Sequence, residues 1–269
     1  MPELPEVETT LRGISPHILQ QKITALRVYQ PKLRWPVPNE LSAIEGQVVL
    51  SVKRRAKYLL IETALGTVII HLGMSGSLRL CDRSVAPQKH DHVEFTINNK
   101  QVLRLHDPRR FGCVLWTQNP AQHKLIINLG PEPLLAEFTA EHLYACSRNR
   151  KVSIKSFVMD AKNVVGVGNI YANEALFMAG INPKIQAGRI ALKRYQLLVV
   201  AIKQVLRAAI KQGGTTLNDF VNADGDTGYF QLKLNVYGRQ GQACTRCDSV
   251  IVKIVQNQRA SFYCPQCQH

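Results

Sequence analysis

Hydrophobic residues in the first half of the chain occur in short runs, many of them alternating with polar residues or rich in β-branched side chains. Turn residues separate neighbouring runs, which is the pattern of half-buried β-strands. The clearest predicted strands span residues 23–29, 48–52, 58–61, 68–71, 93–97, 102–105 and 114–116. Because the runs are short and regularly spaced, with no long helix between them, they predict a β-sandwich or a barrel-like layer.

One helix is predicted ahead of these strands. Val7, Leu11 and Ile14 recur at helical spacing, with Pro5 near the start of the pattern and Pro16 at its expected end. The basic run at residues 53–55, between two predicted strands, has the composition of a solvated edge.

The hydrophobic period becomes helical beyond residue 133. Pro131 and Pro133 make a stiff, helix-free stretch and predict a domain boundary. The clearest helix spans residues 190–212 and is stopped by Gly213 and Gly214, and shorter helical patterns cover 141–148, 153–160 and 169–179. A glycine-bearing loop at 165–168 separates the last two, which is the outline of a helix–turn–helix with a long turn.

Four of the seven cysteines lie in one C-terminal cluster of two CxxC pairs: Cys244 with Cys247, then sixteen residues, then Cys264 with Cys267. Each pair can chelate a metal from a tight turn, and the sixteen residues between them can form a hairpin that brings the pairs together. Four thiolates complete a tetrahedral Zn²⁺ site, so we expect one structural zinc. Four unpaired buried thiols are the alternative. Cys81, Cys113 and Cys146 are scattered and are interpreted as small core or surface residues.

The charge balance indicates a polyanionic partner. Among 269 residues, 34 Lys and Arg oppose 19 Asp and Glu, a formal net charge of +15, and nucleic acid is the leading candidate for such a chain. An acidic membrane surface is the rival, but no apolar run approaches the roughly 18 residues of a membrane span. Glutamates at positions 3, 6 and 8 argue against a signal peptide. A soluble, cytosolic protein is therefore expected.

The N-terminus offers a candidate nucleophile. Removal of Met1 would leave Pro2 with a free secondary amine, and an α-amine titrates near 8, well below lysine. Such an amine forms a cationic iminium with a sugar C1′, which acidifies the neighbouring C2′ proton, and Glu3 could exchange protons there. The alternative is a proline-rich leader that only starts a helix.

Three collinear segments resemble one family. The first residues MPELPEVET, the central GVGNIYANE at 166–174 and the terminal cysteine hairpin are similar to the bacterial formamidopyrimidine-DNA glycosylases. The resemblance implies an α+β fold: an N-terminal helix plus β-sandwich, a helical domain with a helix–two-turn–helix, and a zinc-finger β-hairpin. The corresponding domains are residues 1–130, 131–234 and 235–269.

The same resemblance assigns catalytic roles. Pro2 would attack C1′ of the damaged nucleotide, Glu3 would be its acid–base partner, and Glu6 would support the site. Lys57 matches the family lysine that contacts phosphate and assists proton transfer, although alone it would be interpreted as a solvated lysine at a strand start. Arg259 matches the arginine of the zinc hairpin that grips phosphates beside the lesion, and we group it with the catalytic residues.

The resemblance also implies a role in DNA binding for several residues. A base that leaves the stack must be replaced, and Met74, Arg109 and Phe111 match the family's void-filling side chains. Their residue types alone would make Met74 and Phe111 core residues. Asn169 would bind the DNA backbone at a helix N-terminus, with a plain N-cap as its alternative. His90 and Arg150 match further DNA contacts, and residues 216–229 resemble a base-capping loop.

The resulting hypothesis is a bifunctional glycosylase and abasic-site lyase that removes oxidised purines from double-stranded DNA. We expect a monomer in the bacterial cytosol or nucleoid, without membrane association. One alternative is an enzyme like endonuclease VIII, acting on oxidised pyrimidines. The other is a zinc-dependent DNA-binding protein without catalysis, which the charge and the CxxC pairs would support equally well.

Overall fold

The computed structural model describes residues 2–213 and 234–269. The described residues divide into two compact units. One contains residues 2–127 together with Gly213, and the other contains residues 128–212 and 234–269. The base-capping loop expected at 216–229 lies outside the described residues.

The first unit consists of a helix and two four-stranded antiparallel sheets. The sheet orders are β1-β6-β7-β5 and β2-β3-β4-β8. A single hydrophobic core, which includes Leu72, Phe95 and Val114, is formed by residues of both sheets and of the helix. This arrangement confirms the predicted β-sandwich. The elements are α1 (Leu4–Ile18), β1 (Ile23–Val28), β2 (Ser51–Arg55), β3 (Tyr58–Glu62), β4 (Thr67–His71), β5 (Ser77–Asp82), β6 (Asp91–Ile97), β7 (Gln101–His106) and β8 (Cys113–Thr117).

Helix α1 is longer than its prolines predict. Val7, Ile14 and Ile18 are buried on one face, as the spacing indicates. The expected end at Pro16 is wrong, because the helix continues to Ile18. A proline in the last helical turn removes only one backbone hydrogen bond, and the apolar contacts of Ile18 with the core outweigh that loss.

Two strands depart from the sequence prediction. Strand β5 was not predicted, because its alternation rests on Leu78 and Leu80 alone; it lies at an edge of its sheet and pairs with β7. The strand expected at 48–52 begins instead at Ser51 and runs through the basic residues to Arg55. This strand is also an edge, where charged side chains are the usual protection against pairing with another chain.

The second unit contains four α-helices around its own core: α2 (Ala140–Ser147), α3 (Ile154–Met159), α4 (Asn169–Met178) and α5 (Leu192–Lys211). Their bounds agree with the predicted helices to within two residues. Thr139 and Ser153 cap α2 and α3 by accepting hydrogen bonds from backbone N–H groups. Gly213, with φ of +79°, follows the C-cap of α5 and stops the helix as expected.

A β-hairpin completes this unit. Strands β9 (Val252–Gln256) and β10 (Arg259–Tyr263) are antiparallel, and Asn257 and Gln258 form a tight turn with φ values of +48° and +62°. Phe262 and Cys264 pack in a small core with Phe177 of α4. In the described part of the chain, no helix is long and apolar enough to cross a membrane.

Candidate functional site

The N-terminal segment is buried and held by its own glutamates. Pro2 and Glu3 precede α1, and Glu3 and Glu6 are each only 3% exposed. The backbone N–H of Glu3 donates to Glu6 Oε2 at 2.8 Å, the contact of a helix capping box. Glu6 therefore fixes the backbone beside Pro2. The Glu3 carboxyl group lies at the N-cap of the helix.

Lys57 lies in a two-residue turn between β2 and β3. Its neighbour Ala56 has φ of +55°, a conformation that costs energy outside glycine. Arg54 Nη1 donates to the Ala56 carbonyl at 2.9 Å, and Arg54 Nε donates to Glu8 Oε2 of α1 at 2.9 Å. The Arg54 side chain is only 11% exposed, so the expectation of a solvated edge at 53–55 is wrong at this residue. Lys57 is half-buried and not a freely solvated lysine.

His71 lies opposite Tyr58 across the β3–β4 pair, with ring centroids 5.0 Å apart. Burial, together with the positive charges of Lys57 and Arg34, lowers the pKa of His71 to about 4. The ring is therefore neutral at physiological pH. Its Nδ1 accepts the backbone N–H of Gly73 at 2.9 Å, which places the proton on Nε2.

Two loops of the first unit carry exposed side chains of unusual type. Met74, in the loop 72–76, is 37% exposed, and Phe111, in the loop 107–112, is 44% exposed. The prediction from residue type alone, that Met74 and Phe111 are core residues, is therefore wrong. The Arg109 guanidinium lies over the Phe111 ring, 5.0 Å from its centroid. Large apolar side chains at exposed loop positions point to an interaction surface.

The two loops are in backbone contact. Gly73 has φ of +66°, and a Cβ atom there would lie 2.4 Å from the backbone nitrogen of Gly112. No other residue type fits such an approach. The loops 72–76 and 107–112 therefore form one surface that presents Met74, Arg109 and Phe111.

His90 is half-buried beside two other histidines. Its ring centroid lies 5.8 Å from that of His106 and 6.4 Å from that of His92. His106 Nδ1 donates to Asp91 Oδ1 at 2.8 Å. Burial lowers the pKa of His106 and outweighs the opposing effect of the Asp91 carboxylate. The sequence analysis did not indicate this cluster.

Asn169 of the second unit is the first residue of α4, as expected, but it does not cap the helix. Gly168 is the N-cap, and the Asn169 side chain forms no capping hydrogen bond. Its Oδ1 is buried and has no hydrogen-bond partner among the described residues. A buried acceptor without a partner is costly.

Arg259 is exposed at the start of β10, beside a cavity of about 190 Å³ whose lining includes Lys155 and Asn257. Lys155, 1% exposed, donates to the Ala260 carbonyl at 2.6 Å and to Ser261 Oγ at 2.7 Å. This lysine therefore attaches the hairpin strand that carries Arg259 to helix α3. Arg150 is exposed just after α2.

The four cysteines come together in the hairpin. The Sγ atoms of Cys244, Cys247, Cys264 and Cys267 all lie within 4.8 Å of one another. Sulfur ligands about 2.3 Å from a tetrahedral zinc would have this spacing. Backbone N–H groups of Arg246 and Cys267 point at Cys244 and Cys264 Sγ, each at 3.4 Å, and would stabilise thiolates. The site fits one structural Zn²⁺, as predicted, and Cys81, Cys113 and Cys146 lie outside it.

Sequence reasoning missed four residues that organise these surfaces: Glu8, Arg54, His71 and Asp107. Glu8, Arg54 and Asp107 each bond to a segment distant in the sequence, and the low pKa of His71 depends on its burial in the fold, so no local spacing indicates these roles. At Asp107 the available signal was a single acidic residue within the basic stretch 104–110.

Comparisons with known proteins agree along the whole chain. Family models match three consecutive segments: the formamidopyrimidine-DNA glycosylase N-terminal domain at residues 1–114, the formamidopyrimidine-DNA glycosylase H2TH domain at 129–221, and a zinc finger found in FPG and IleRS at 241–269.

Curated relatives and solved structures give the same result. The formamidopyrimidine-DNA glycosylases of Photobacterium profundum and Alcanivorax borkumensis are 54% and 55% identical to this chain, with all of both chains covered. The Lactococcus lactis Fpg in complex with abasic-site DNA has a TM-score of 0.91 at 31% identity and covers 100% of both chains. The MutM (Fpg) protein of Thermus thermophilus has a TM-score of 0.89 at 33% identity, covering 99% of this chain and 98% of its own. With its three domain models in order and its full length matched, this chain belongs to the formamidopyrimidine-DNA glycosylase family.

Proposed function

We propose that this protein is a base-excision-repair DNA glycosylase that removes oxidised purines, 8-oxoguanine and formamidopyrimidines, from duplex DNA and then cuts the abasic site. The observation that carries the proposal is the N-terminal segment, in which Glu6 holds the backbone of Glu3 beside Pro2. Similar proteins from Lactococcus lactis are described in complex with abasic-site DNA and with Fapy-dG DNA.

Pro2 is the proposed nucleophile. After removal of Met1, its secondary amine attacks C1′ of the damaged nucleotide and expels the oxidised base, with Glu3 exchanging the protons. The resulting iminium is cationic and withdraws electrons from the sugar. Loss of the C2′ proton then breaks the strand on the 3′ side of the lesion, and a second elimination breaks it on the 5′ side.

The proposed phosphate contacts come from both units. Lys57 supplies one from the first unit, and Asn169 and Arg259 supply others from the second. His90 and Arg150 are proposed to make further contacts with the DNA. The unpartnered Oδ1 of Asn169 supports a ligand at that side chain. Lys and Arg contacts to phosphate release counterions, so they supply affinity without sequence preference. This suits an enzyme that must search long stretches of undamaged DNA.

Met74, Arg109 and Phe111 are proposed to fill the space that the damaged nucleotide leaves. Apolar wedges compensate for lost stacking, and a guanidinium can donate two hydrogen bonds to an orphaned cytosine. Their exposure on two joined loops supports this role. The bound zinc would hold the hairpin and thereby aim Arg259.

We further propose that residues 1–130, 131–234 and 235–269 act as a catalytic domain, a helical DNA-binding domain and a zinc finger, in a monomeric protein of the bacterial cytosol and nucleoid. The strong positive charge supports residence with DNA.

The test is borohydride trapping with an 8-oxoguanine:C duplex. A covalent complex should form with processed wild-type protein, and mass spectrometry should place the bond at Pro2. Pro2→Ser, and protein that retains Met1, should give none. Pro120→Ser, which changes a proline of a surface turn, is the matched control and should trap normally.

The alternatives predict different results. DNA binding without trapping by processed protein would favour a zinc-dependent DNA-binding protein. Equal or faster cutting of a thymine-glycol duplex would favour an enzyme like endonuclease VIII.

A further inference from the structure

Asp107 is a fully buried acidic residue, with 0% exposure, at the start of the loop that carries Arg109 and Phe111. We propose that Asp107 is a positioning residue for base displacement, holding the loops 72–76 and 107–112 in one arrangement so that Met74, Arg109 and Phe111 enter the duplex together. The inference rests on the proposed function, because it assumes that these side chains fill the vacated space.

The carboxyl group of Asp107 contacts both loops. Oδ2 accepts the backbone N–H of Gly112 at 2.7 Å, and Oδ1 accepts the Ser75 hydroxyl at 3.2 Å. Gly112 directly follows Phe111, and Ser75 directly follows Met74. One carboxyl group therefore fixes the residue next to each apolar wedge.

The backbone of Asp107 is fixed as well. Its N–H donates to the His90 carbonyl at 3.0 Å, and its carbonyl accepts from His92 Nε2 at 2.8 Å and from the Arg110 N–H at 3.1 Å. Arg110 has φ of +55°, which is unusual outside glycine. The bonds at Asp107 hold this strained turn and thereby direct the preceding Arg109.

The cost of this arrangement indicates a function. None of the hydrogen bonds that the Asp107 carboxyl makes with described residues comes from a charged side chain, and burying a carboxyl group without a charged donor costs free energy. The backbone approach of Gly73 and Gly112 leaves no space for a hydrophobic side chain to join the loops. A short double acceptor can bridge the donors there, and stiff loops lose less entropy on insertion.

The experiment compares two substrates in single-turnover reactions. Base excision from an 8-oxoguanine:C duplex requires displacement of the damaged nucleotide, whereas cutting of a preformed abasic site has no damaged base to displace. A 2-aminopurine next to the lesion reports the insertion step directly, because its fluorescence rises when it is unstacked.

We expect Asp107→Ala to slow excision and the 2-aminopurine step by about 100-fold, a typical effect of misplaced groups. Abasic-site cutting and DNA affinity should change less than about threefold, since phosphate contacts dominate affinity. Asp107→Asn should restore most of the rate, because its amide oxygen can accept from Gly112 while its NH₂ donates to Ser75 Oγ. Asp82→Ala, which changes an exposed aspartate of strand β5, is the matched control.

Ser75→Ala keeps the test decisive if Asp107→Ala does not fold. It removes one of the two carboxyl contacts and should slow excision by about threefold to tenfold with abasic-site cutting unchanged. The inference would be overturned if the variants lost rate equally on both substrates or lost none on either. It would also be overturned if Asp107→Asn were as slow as Asp107→Ala. A wild-type protein that cuts neither substrate would overturn the proposed function and this inference with it.

Discussion

Arg54 joins the turn that carries Lys57 to helix α1, because its Nε donates to Glu8 Oε2 at 2.9 Å while its Nη1 donates to the Ala56 carbonyl. Glu8 also pairs with Arg12 on the helix surface. Burial opposes the charged form of Glu8, but hydrogen bonds and charges of the two arginines outweigh it and lower the pKa of Glu8. The pair thus links the helix that begins beside Pro2 to the turn of Lys57.

Loss of the half-buried pair of Arg54 and Glu8 should lower the free energy of unfolding. Arg54→Met should reduce the free energy of unfolding by about 1.5 to 3 kcal/mol, because the half-buried Glu8 carboxylate loses the Arg54 hydrogen bond and retains its pair with Arg12. Arg12→Ala is the matched control. Arg12 is 62% exposed, and exposed pairs contribute about 1 kcal/mol or less. Urea denaturation of both variants measures the two costs, and equal costs would contradict the assignment.

The low pKa of His71 predicts a stability loss in mild acid. An unfolded histidine with an ordinary pKa of 6.5 binds a proton between pH 6.5 and 4, whereas folded His71, with a pKa of about 4, does not. The unfolded state therefore gains protons as the pH falls, and stability falls with it. Between pH 7 and pH 5, wild type should lose about 2 kcal/mol more than His71→Asn, whose amide oxygen can still accept the Gly73 N–H.

Urea denaturation at both pH values measures this difference. Parallel losses in the wild type and the variant would show that His71 titrates normally in the folded protein.

Removal of zinc should affect DNA binding more than the fold. Chelation or Cys264→Ser should abolish tight binding to lesion DNA, because the hairpin that carries Arg259 loses its metal. Helical circular dichroism should persist, since the helices have a core of their own. Cys81→Ser, outside the cluster, should bind DNA normally. Loss of the helical signal on chelation would show that the second unit depends on the metal as a whole.

Glu174 should be important for stability. Its buried carboxylate accepts hydrogen bonds from the Asn235 side chain and from the backbone N–H groups of Asn235, Val236 and Tyr237. Glu174→Gln turns an NH₂ group towards donors and should cost about 2 to 4 kcal/mol. Amide exchange at 235–237 should accelerate in this variant. Glu137→Gln, on the exposed surface, should change stability by less than about 0.5 kcal/mol; a similar loss there would count against a special role for Glu174.

DNA affinity should depend steeply on salt because of the phosphate contacts. Arg259→Ala should lower the slope of log K against log salt by about one, as expected for one lost phosphate contact. Arg259→Lys keeps the charge and should keep the slope. Titrations at several salt concentrations measure both, and an unchanged slope in the alanine variant would remove Arg259 from the phosphate contacts.

Local pattern was enough to predict much of this protein. Helix α5 follows from one apolar stripe ended by glycine, and the cysteine cluster follows from two CxxC pairs. Strand β5 was missed because its alternation rests on Leu78 and Leu80 alone, and the strand is defined by its pairing with β7. The helix end predicted at Pro16 was wrong for a similar reason, because packing of Ile18 extends the helix beyond it.

The sequence by itself determined the strand-rich and helical regions, the zinc ligands and the candidate nucleophile, because spacing and residue type are local properties of a chain. Only the tertiary structure decided that Met74 and Phe111 are exposed, that His71 is neutral, and that Asp107 bonds to both loops. Exposure, pKa and hydrogen-bond partners depend on residues far apart in the chain, whose approach is settled when the sheets and loops pack against one another.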